Sequence, residues 1–177
     1  KDHGKSYEAV YEREQPTGNG FRWLNETFGT NARMTEIQAV IGRIQLKRMQ
    51  DWQKKRLNNA NYIWNTAKKC KGLRVAVIPE YIKHAAYKCY VFVEGSVEMR
   101  DKIIAQINEK GVPCYTGACP EVYLEKAFDN TSFRPSKRLA NAKKLGETSL
   151  MFLVHPTLTR EEIQKTCDVL TEVASAN

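Results

Sequence analysis

The sequence has no run of eighteen consecutive apolar residues, which is about the length that a membrane-spanning helix needs. It also shows no basic, then apolar, then small-residue leader of the kind that directs secretion. Internal repeats and low-complexity segments are absent from the 177 residues, of which 42% are hydrophobic and 27% charged. A chain of this length and composition can bury a core of its own. We therefore expect a globular, cytoplasmic protein with no membrane partner.

Cysteine is present, but not in the patterns that indicate disulfides or metal sites. The five are Cys70, Cys89, Cys114, Cys119 and Cys167, an odd number without a CxxC pair. Cys114 and Cys119 could form half of a zinc site, yet no second pair repeats their spacing. We expect reduced thiols and no metal.

Negative charge is in deficit, with 28 Lys and Arg against 20 Asp and Glu and a net charge of +8. Such an excess can indicate a nucleic-acid partner, a solvated basic helix face, or attraction to anionic small molecules. The basic residues are dispersed, and no stretch alternates them with aromatic side chains that would stack on bases. We expect no nucleic-acid partner.

Hydrophobic spacing divides the chain into three parts. Residues 1–33 are polar and without a convincing period, which predicts an extended segment that packs against a separate, larger domain. Residues 34–70 carry apolar side chains at helical spacing and predict one long connecting helix. Thr35-x-x-Gln38 is a capping box at its start, and Gly72 provides a stop after its end. Residues 71–177 predict a small α+β domain.

Strands and helices alternate in this third part. The predicted fold class is α+β, with a long N-terminal helix followed by a small, mostly antiparallel sheet that has helices on one face. Strands are expected at Leu73–Val77, Tyr87–Glu94, Val112–Tyr115 and Ser149–Leu153. Helices are expected at Val97–Lys110 and Lys137–Leu145 and from Thr159 to about Ser175, with a helical turn at Glu121–Phe128.

The stretch FGTNARMTEIQ, from Phe28 to Gln38, places polar donors directly before the long helix. Asn31 supplies an amide, Arg33 a guanidinium fork, and the helix start adds backbone N–H groups. This set suits a phosphate. It is also typical of a polar loop that enters a capped helix, and composition alone favours this second interpretation.

Several segments, in a fixed order, resemble the DegT/StrS family of pyridoxal-phosphate-dependent sugar aminotransferases. The strongest pattern is GxNxRMTEIQAxIGxxQL, which runs here from Gly29 to Leu46. It is flanked by KDHGK at the first five residues and by YKCYVFVE, GVPCYTGACPEVYLEKAF and GETSLMFLVHPTLTREEI further on. Together these matches cover almost the whole chain.

The resemblance implies the C-terminal domain of a fold-type-I aminotransferase, similar to aspartate aminotransferase. The family's cofactor is pyridoxal 5'-phosphate, and its members are homodimers. They pass an amino group, typically from glutamate, to a keto group of a nucleotide-linked sugar. By this resemblance Asn31 reaches across the dimer to the cofactor phosphate, and Arg33 is a second candidate for cofactor binding.

Four further residues are candidates for substrate binding, each with a structural alternative. Trp23 could line the sugar site or pack on the larger domain. Glu121 and Tyr123 could bind sugar hydroxyls or stabilise an amphipathic turn. Lys88 could neutralise a nucleotide diphosphate or lie along a strand edge. No residue of the sequence is a candidate for catalysis.

The family's Schiff-base lysine lies upstream of the positions matched here. We therefore expect these 177 residues to be inactive alone and not to bind the cofactor covalently. Members of the same family in which histidine replaces that lysine are sugar dehydratases, and this sequence does not separate the two. A non-catalytic binding module is the remaining alternative.

Overall fold

The computed structural model describes Phe28 and residues 34–177. This part of the chain forms four α-helices and a four-stranded sheet, the α+β class predicted. In chain order the elements are α1 (Glu36–Ala67), β1 (Leu73–Arg74), β2 (Cys89–Val93), α2 (Val97–Glu109), β3 (Cys114–Tyr115), α3 (Ala140–Thr148), β4 (Ser149–Phe152) and α4 (Arg160–Ser175). Two short 3-10 helices, Val122–Leu124 and Lys126–Phe128, lie between β3 and α3.

The long helix α1 begins with the predicted capping box. The Thr35 backbone N–H donates to Gln38 Oε1 at 2.9 Å, and the Gln38 N–H donates to Thr35 Oγ1 at 3.4 Å. These bonds satisfy two backbone donors that a helix start leaves without partners. After Ala67 the chain turns through Gly72, whose φ of +77° favours glycine.

The sheet is antiparallel throughout, with the strand order β1-β2-β4-β3. β1 is shorter than the predicted Leu73–Val77 strand. Its β-branched residues indicated a longer strand, but after Arg74 the chain leaves the sheet, and Val75 and Ile78 pack at the edge of the core instead. β2 and β4 form the centre, where Cys89 pairs with Phe152 and Phe92 with Ser149.

The core lies between one face of the sheet and helices α1, α2 and α4. Its members are apolar side chains at alternating strand positions and at helical spacing. The most deeply buried include Ile63, Val91, Ile104, Leu150 and Leu170. Only the C-terminal half of α1 contributes, through Ala60, Ile63, Trp64 and Ala67.

Two elements between β3 and β4 differ from the prediction. The expected turn at Glu121–Phe128 is split into two 3-10 helices because Glu125 has an extended backbone, with φ −62° and ψ 143°. Helix α3 begins at Ala140 and not at Lys137. The reason is that Arg138 and Leu139 bond to the preceding loop, as described below. None of the helices in the described residues is both long and apolar enough to cross a membrane.

Candidate functional site

The loop of residues 116–139 connects β3 to α3 and contains the predicted residues Glu121 and Tyr123. Glu121 is only 3% exposed, although it carries a carboxylate. Arg138 binds both oxygens of this carboxylate: Nε donates to Oε1 at 2.9 Å and Nη2 to Oε2 at 2.5 Å. Such a two-point pair is stronger and more directional than a single contact. It closes the loop on itself across 17 positions of sequence.

Tyr123 extends the same network. Its hydroxyl donates to Glu121 Oε1 at 2.7 Å and accepts from the Leu139 backbone N–H at 2.9 Å. The side chain is buried, and these two hydrogen bonds replace the ones that its hydroxyl would make with water. Without them, burial of the hydroxyl would cost free energy. Tyr123 therefore ties the start of the loop to the first turn of α3.

Arg134 holds the middle of the loop through backbone atoms. Its Nε donates to the Tyr123 carbonyl at 2.9 Å and its Nη2 to the Glu125 carbonyl at 3.0 Å. It also pairs with the Asp129 carboxylate at 2.5 Å. We call Glu121, Tyr123, Arg134 and Arg138 the loop clasp.

The clasp has a pronounced electrostatic signature. The hydrogen bond from Arg138 holds the pKa of Glu121 at about 2, below its usual range, against the opposing effect of burial. Burial, together with the bond to the Glu121 carboxylate, raises the pKa of Tyr123. The carboxylate is therefore charged, and the phenol neutral, throughout the physiological pH range.

The start of the loop is fixed to the sheet face opposite the helical core. The Ala118 N–H donates to the Tyr90 hydroxyl at 3.1 Å, and Ser149 Oγ donates to the Thr116 carbonyl at 2.7 Å. Gly117 has φ +90°, and a Cβ placed there would overlap the Tyr90 ring. Glycine is thus required at this position both by backbone conformation and by space.

Lys88 lies on a different part of the surface, directly before β2. Its Nζ is 5.9 Å from the ring centroid of Tyr87, and Arg56 Cζ lies 5.5 Å from the same centroid. Arg56 also donates from Nη1 to the Tyr87 carbonyl at 3.2 Å. Tyr87, which is 72% exposed, therefore lies close to two cations, an arrangement that can receive an anion.

The structure brings together two of the six predicted site residues. Glu121 and Tyr123 meet in the loop clasp, where their polar atoms bond to each other, to Arg138 and to Leu139. Asn31, Arg33 and Trp23 lie outside the described residues. Phe28, three positions before Asn31, packs edge-on against Phe128 with ring centroids 5.2 Å apart. The assignment of these residues to cofactor and substrate stays a prediction, as do the domain limits 1–33, 34–70 and 71–177.

The sequence interpretation missed three residues that shape this region. Arg134 and Arg138, in SFRPSKRL, have no predicted role, and Arg138 falls within the predicted helix Lys137–Leu145. Two arginines four residues apart, shortly after three acidic side chains, were the available signal. Gly117 carried no signal beyond being glycine.

The cysteines contribute no metal centre to the described part of the chain. No three His, Cys, Asp or Glu side chains there come together as potential metal ligands. Burial raises the pKa of the Cys114 thiol to about 12 and also raises that of Cys89, so both are poor nucleophiles.

A long helix leading into a small antiparallel sheet, with a polar loop closed against its outer face, is the C-terminal domain of a fold-type-I aminotransferase. The chain belongs to the DegT/DnrJ/EryC1/StrS aminotransferase family, whose model matches residues 7–171.

Individual proteins similar to this chain support the family assignment. An aminotransferase structure from Psychrobacter cryohalolentis superposes with a TM-score of 0.74 at 54% identity, over 99% of this chain and 47% of that one. The Erythromycin biosynthesis sensory transduction protein EryC1 of Saccharopolyspora erythraea is 27% identical over 81% of this chain and 38% of its own length. The dTDP-3-amino-3,4,6-trideoxy-alpha-D-glucose transaminase of Streptomyces venezuelae is 25% identical over 89% of this chain and 40% of its own. The chain thus spans less than half the length of each relative.

Proposed function

We propose that the protein containing this chain is a pyridoxal-phosphate-dependent aminotransferase that moves an amino group from glutamate to a keto group of a nucleotide-linked sugar. The observation that carries the proposal is the 54% identity to the Psychrobacter cryohalolentis aminotransferase across nearly the whole chain. The Streptomyces venezuelae relative, a transaminase of a dTDP-linked amino sugar, supports the substrate class. The net charge of +8 agrees with an anionic substrate.

The donor set before α1 is chemically suited to the cofactor. An amide at Asn31 and a guanidinium at Arg33 can each donate to a phosphate, and the capping box fixes the helix that follows them. When bound, pyridoxal phosphate supplies the electron sink for amino transfer. We assign Asn31 and Arg33 to holding its phosphate, with Asn31 reaching the cofactor of a neighbouring subunit.

A homodimer is part of this proposal. The N-terminal half of α1 exposes an apolar row that the small domain does not cover. Its members are Ile37, Val40, Ile41, Ile44 and Met49 of the helix and Met34 directly before it, each 47–75% exposed. An apolar patch of this extent is typical of surfaces that are buried in an assembly.

Trp23, Lys88, Glu121 and Tyr123 remain our candidates for the sugar side of the site. The partners seen for Glu121 and Tyr123 favour a role in shaping the loop, whereas Lys88 and its neighbours Arg56 and Tyr87 favour contact with an anion. The 177 residues alone are proposed to be inactive, because the lysine that the family uses lies upstream of the matched segments.

The function is tested with the intact protein, pyridoxal phosphate and glutamate. We expect 2-oxoglutarate to form beyond one equivalent per active site only when a keto nucleotide sugar is also present, because the acceptor sugar must take the amine from the cofactor before a second glutamate can react. Loss of water from the sugar without consumption of glutamate would instead identify a dehydratase. No reaction with a panel of keto nucleotide sugars would contradict both enzyme assignments.

Asn31→Ala provides a second, independent test. Removal of one hydrogen bond to a charged phosphate is expected to raise the dissociation constant of pyridoxal phosphate by about ten- to a hundredfold. Equilibrium dialysis of the intact protein measures this constant. Asn58→Ala, on the exposed surface of α1, is the control and should leave the constant unchanged.

A further inference from the structure

A groove of about 730 Å³ runs between α1 and the irregular segment 75–84 that follows β1. One wall is a stripe of α1 from Gln50 to Lys68, with residues spaced three or four apart. The volume lies within the range of sites that bind small organic molecules. Of the residues proposed above for sugar binding, the three that the structure describes, Lys88, Glu121 and Tyr123, do not line it.

The floor of the groove is apolar. Leu57, Trp64, Val75, Ile78 and Ile82 line it. Trp64 donates its indole Nε1–H to the Tyr90 carbonyl at 3.1 Å, so its polar atom is already satisfied within the fold. An apolar group of a ligand can therefore pack on this floor, and it leaves no indole N–H without a hydrogen-bond partner.

The outer wall is tied to the helix by specific contacts. Gln53 Nε2 donates to the His84 carbonyl at 3.4 Å, and the His84 ring packs edge-on against Trp64 with centroids 5.6 Å apart. His84 Nδ1 accepts from the Ala86 N–H at 3.0 Å and so supports a left-handed turn at Ala86, where φ is +47°. A non-glycine residue in this conformation needs such support. Specific contacts of the fold thus hold the two walls of the groove in place.

Positive charge surrounds the groove. Lys54, Lys68 and Lys83 line it, against a single carboxylate at Glu80. Among the residues that the structure describes, no ion pair engages any of the three lysines. Carboxamides at Gln50, Asn61 and Asn65 add neutral donors and acceptors.

We propose that this groove binds an organic anion, namely an apolar body that carries one phosphate or carboxylate. The apolar floor receives the body, because its burial is favourable and roughly proportional to area. The lysines receive the anionic group through charge-assisted hydrogen bonds, while the carboxamides select among the remaining polar atoms.

Hydrogen–deuterium exchange of the intact protein tests the site and also locates it. Two probes with the same apolar body at millimolar concentration distinguish the anion: 1-naphthyl phosphate carries a phosphate and 1-naphthoate a carboxylate. We expect at least one probe to slow amide exchange in peptides that cover residues 75–84. In the double variant Lys68→Gln/Lys83→Gln, the probe concentration that gives half of this protection should rise by about tenfold or more. Both lysines are exposed, so the fold should tolerate the changes.

The matched control is Lys55→Gln/Lys102→Gln, which removes the same charge from exposed positions outside the groove. Protection that survives in the control but is weakened in the groove variant establishes the site, and the active probe names its anion. Failure of both probes to slow exchange in residues 75–84 would overturn the proposal. Equal protection in the two double variants would overturn it as well.

Discussion

Glu121 is a buried carboxylate whose charge is retained because Arg138 meets it at two points. A buried charge without a partner would instead be neutralised. The side chain of Arg138 is 49% exposed, so solvent weakens the attraction, and the pair contributes less than its pKa shift alone would indicate. At the residue scale, this pair and the Tyr123 hydroxyl beside it join the early part of the loop to the residues directly before α3.

Glu121→Gln is expected to loosen the loop. The substitution keeps the shape of the side chain but leaves the Arg138 guanidinium opposite a neutral amide, which we expect to cost about 1–2 kcal/mol of local stability. Native-state hydrogen exchange across residues 119–139 of the intact protein measures this opening free energy. The control is Glu147→Gln in the exposed pair of Lys143 and Glu147, 3.8 Å apart, where a change below about 0.5 kcal/mol is expected. An equal effect in both variants would contradict the role of the clasp.

The same pair predicts an acid-dependent loss of stability. Because the pKa of Glu121 is about 2 in the folded protein, below the ordinary glutamate value of 4.5, its contribution is complete above pH 4.5. The contribution is lost as the pH falls from 4.5 through 2. The exchange-derived opening free energy of residues 119–139 should therefore decline over this window in the native protein. Glu121→Gln should show a flatter decline, and an identical pH profile would argue against the assignment.

At the scale of elements, the regular parts of the fold were predictable because each has a local cause. The capping box predicted at Thr35 is present, and the predicted start of the last helix at Thr159 has one as well, since such a box requires only residues three apart in sequence. The strand predicted at Leu73–Val77 was too long because β-branched residues also suit the irregular wall beside α1. The start of α3 could not be predicted from local spacing, because it is set by Leu139 bonding to Tyr123 sixteen residues earlier.

In the candidate site, too, contacts between residues close in sequence were predictable and contacts between distant residues were not. The pairing of Glu121 with Tyr123 follows from their proximity in sequence, but the choice of Arg138 as partner depends on how the loop folds back. Lys88 lies directly before β2 and its role stays a prediction, whereas its neighbour Arg56 comes from α1, 32 positions earlier. Contacts between distant parts of the sequence are what residue patterns do not specify.

Two glycine substitutions test how elements meet. Gly117→Ala should destabilise the start of the loop by about 1–3 kcal/mol, because alanine disfavours φ +90° and its Cβ would overlap Tyr90. Gly42→Ala, inside α1 with no atom within 4 Å of the added Cβ, should instead be neutral or stabilising by up to about 1 kcal/mol. Unfolding in urea, compared with the native protein, gives both values. A Gly117→Ala variant as stable as the native protein would show that Gly117 is not held against Tyr90 as described.

At the scale of the whole molecule, the described residues leave an apolar row exposed on the N-terminal half of α1. Leaving this many large apolar side chains in water is unfavourable, and the proposed assembly would bury them. Hydroxyl-radical footprinting of the intact protein tests this at methionine. Met34 and Met49, 66% and 49% exposed here, should be protected from oxidation, whereas Met99 of α2, at 39%, should stay reactive. Oxidation of all three at rates that follow these exposures would mean that the row remains open to solvent.

Transfer of a labelled amine tests the central proposal most directly. The intact protein is incubated with pyridoxal phosphate, 15N-glutamate and a keto nucleotide sugar, and the mass of the sugar product is measured by mass spectrometry. We predict that the product carries one 15N atom in place of the keto oxygen, with an equal amount of 2-oxoglutarate released. A nucleotide sugar that never acquires the label, across the panel of keto sugars, would contradict the assignment of this protein as a sugar aminotransferase.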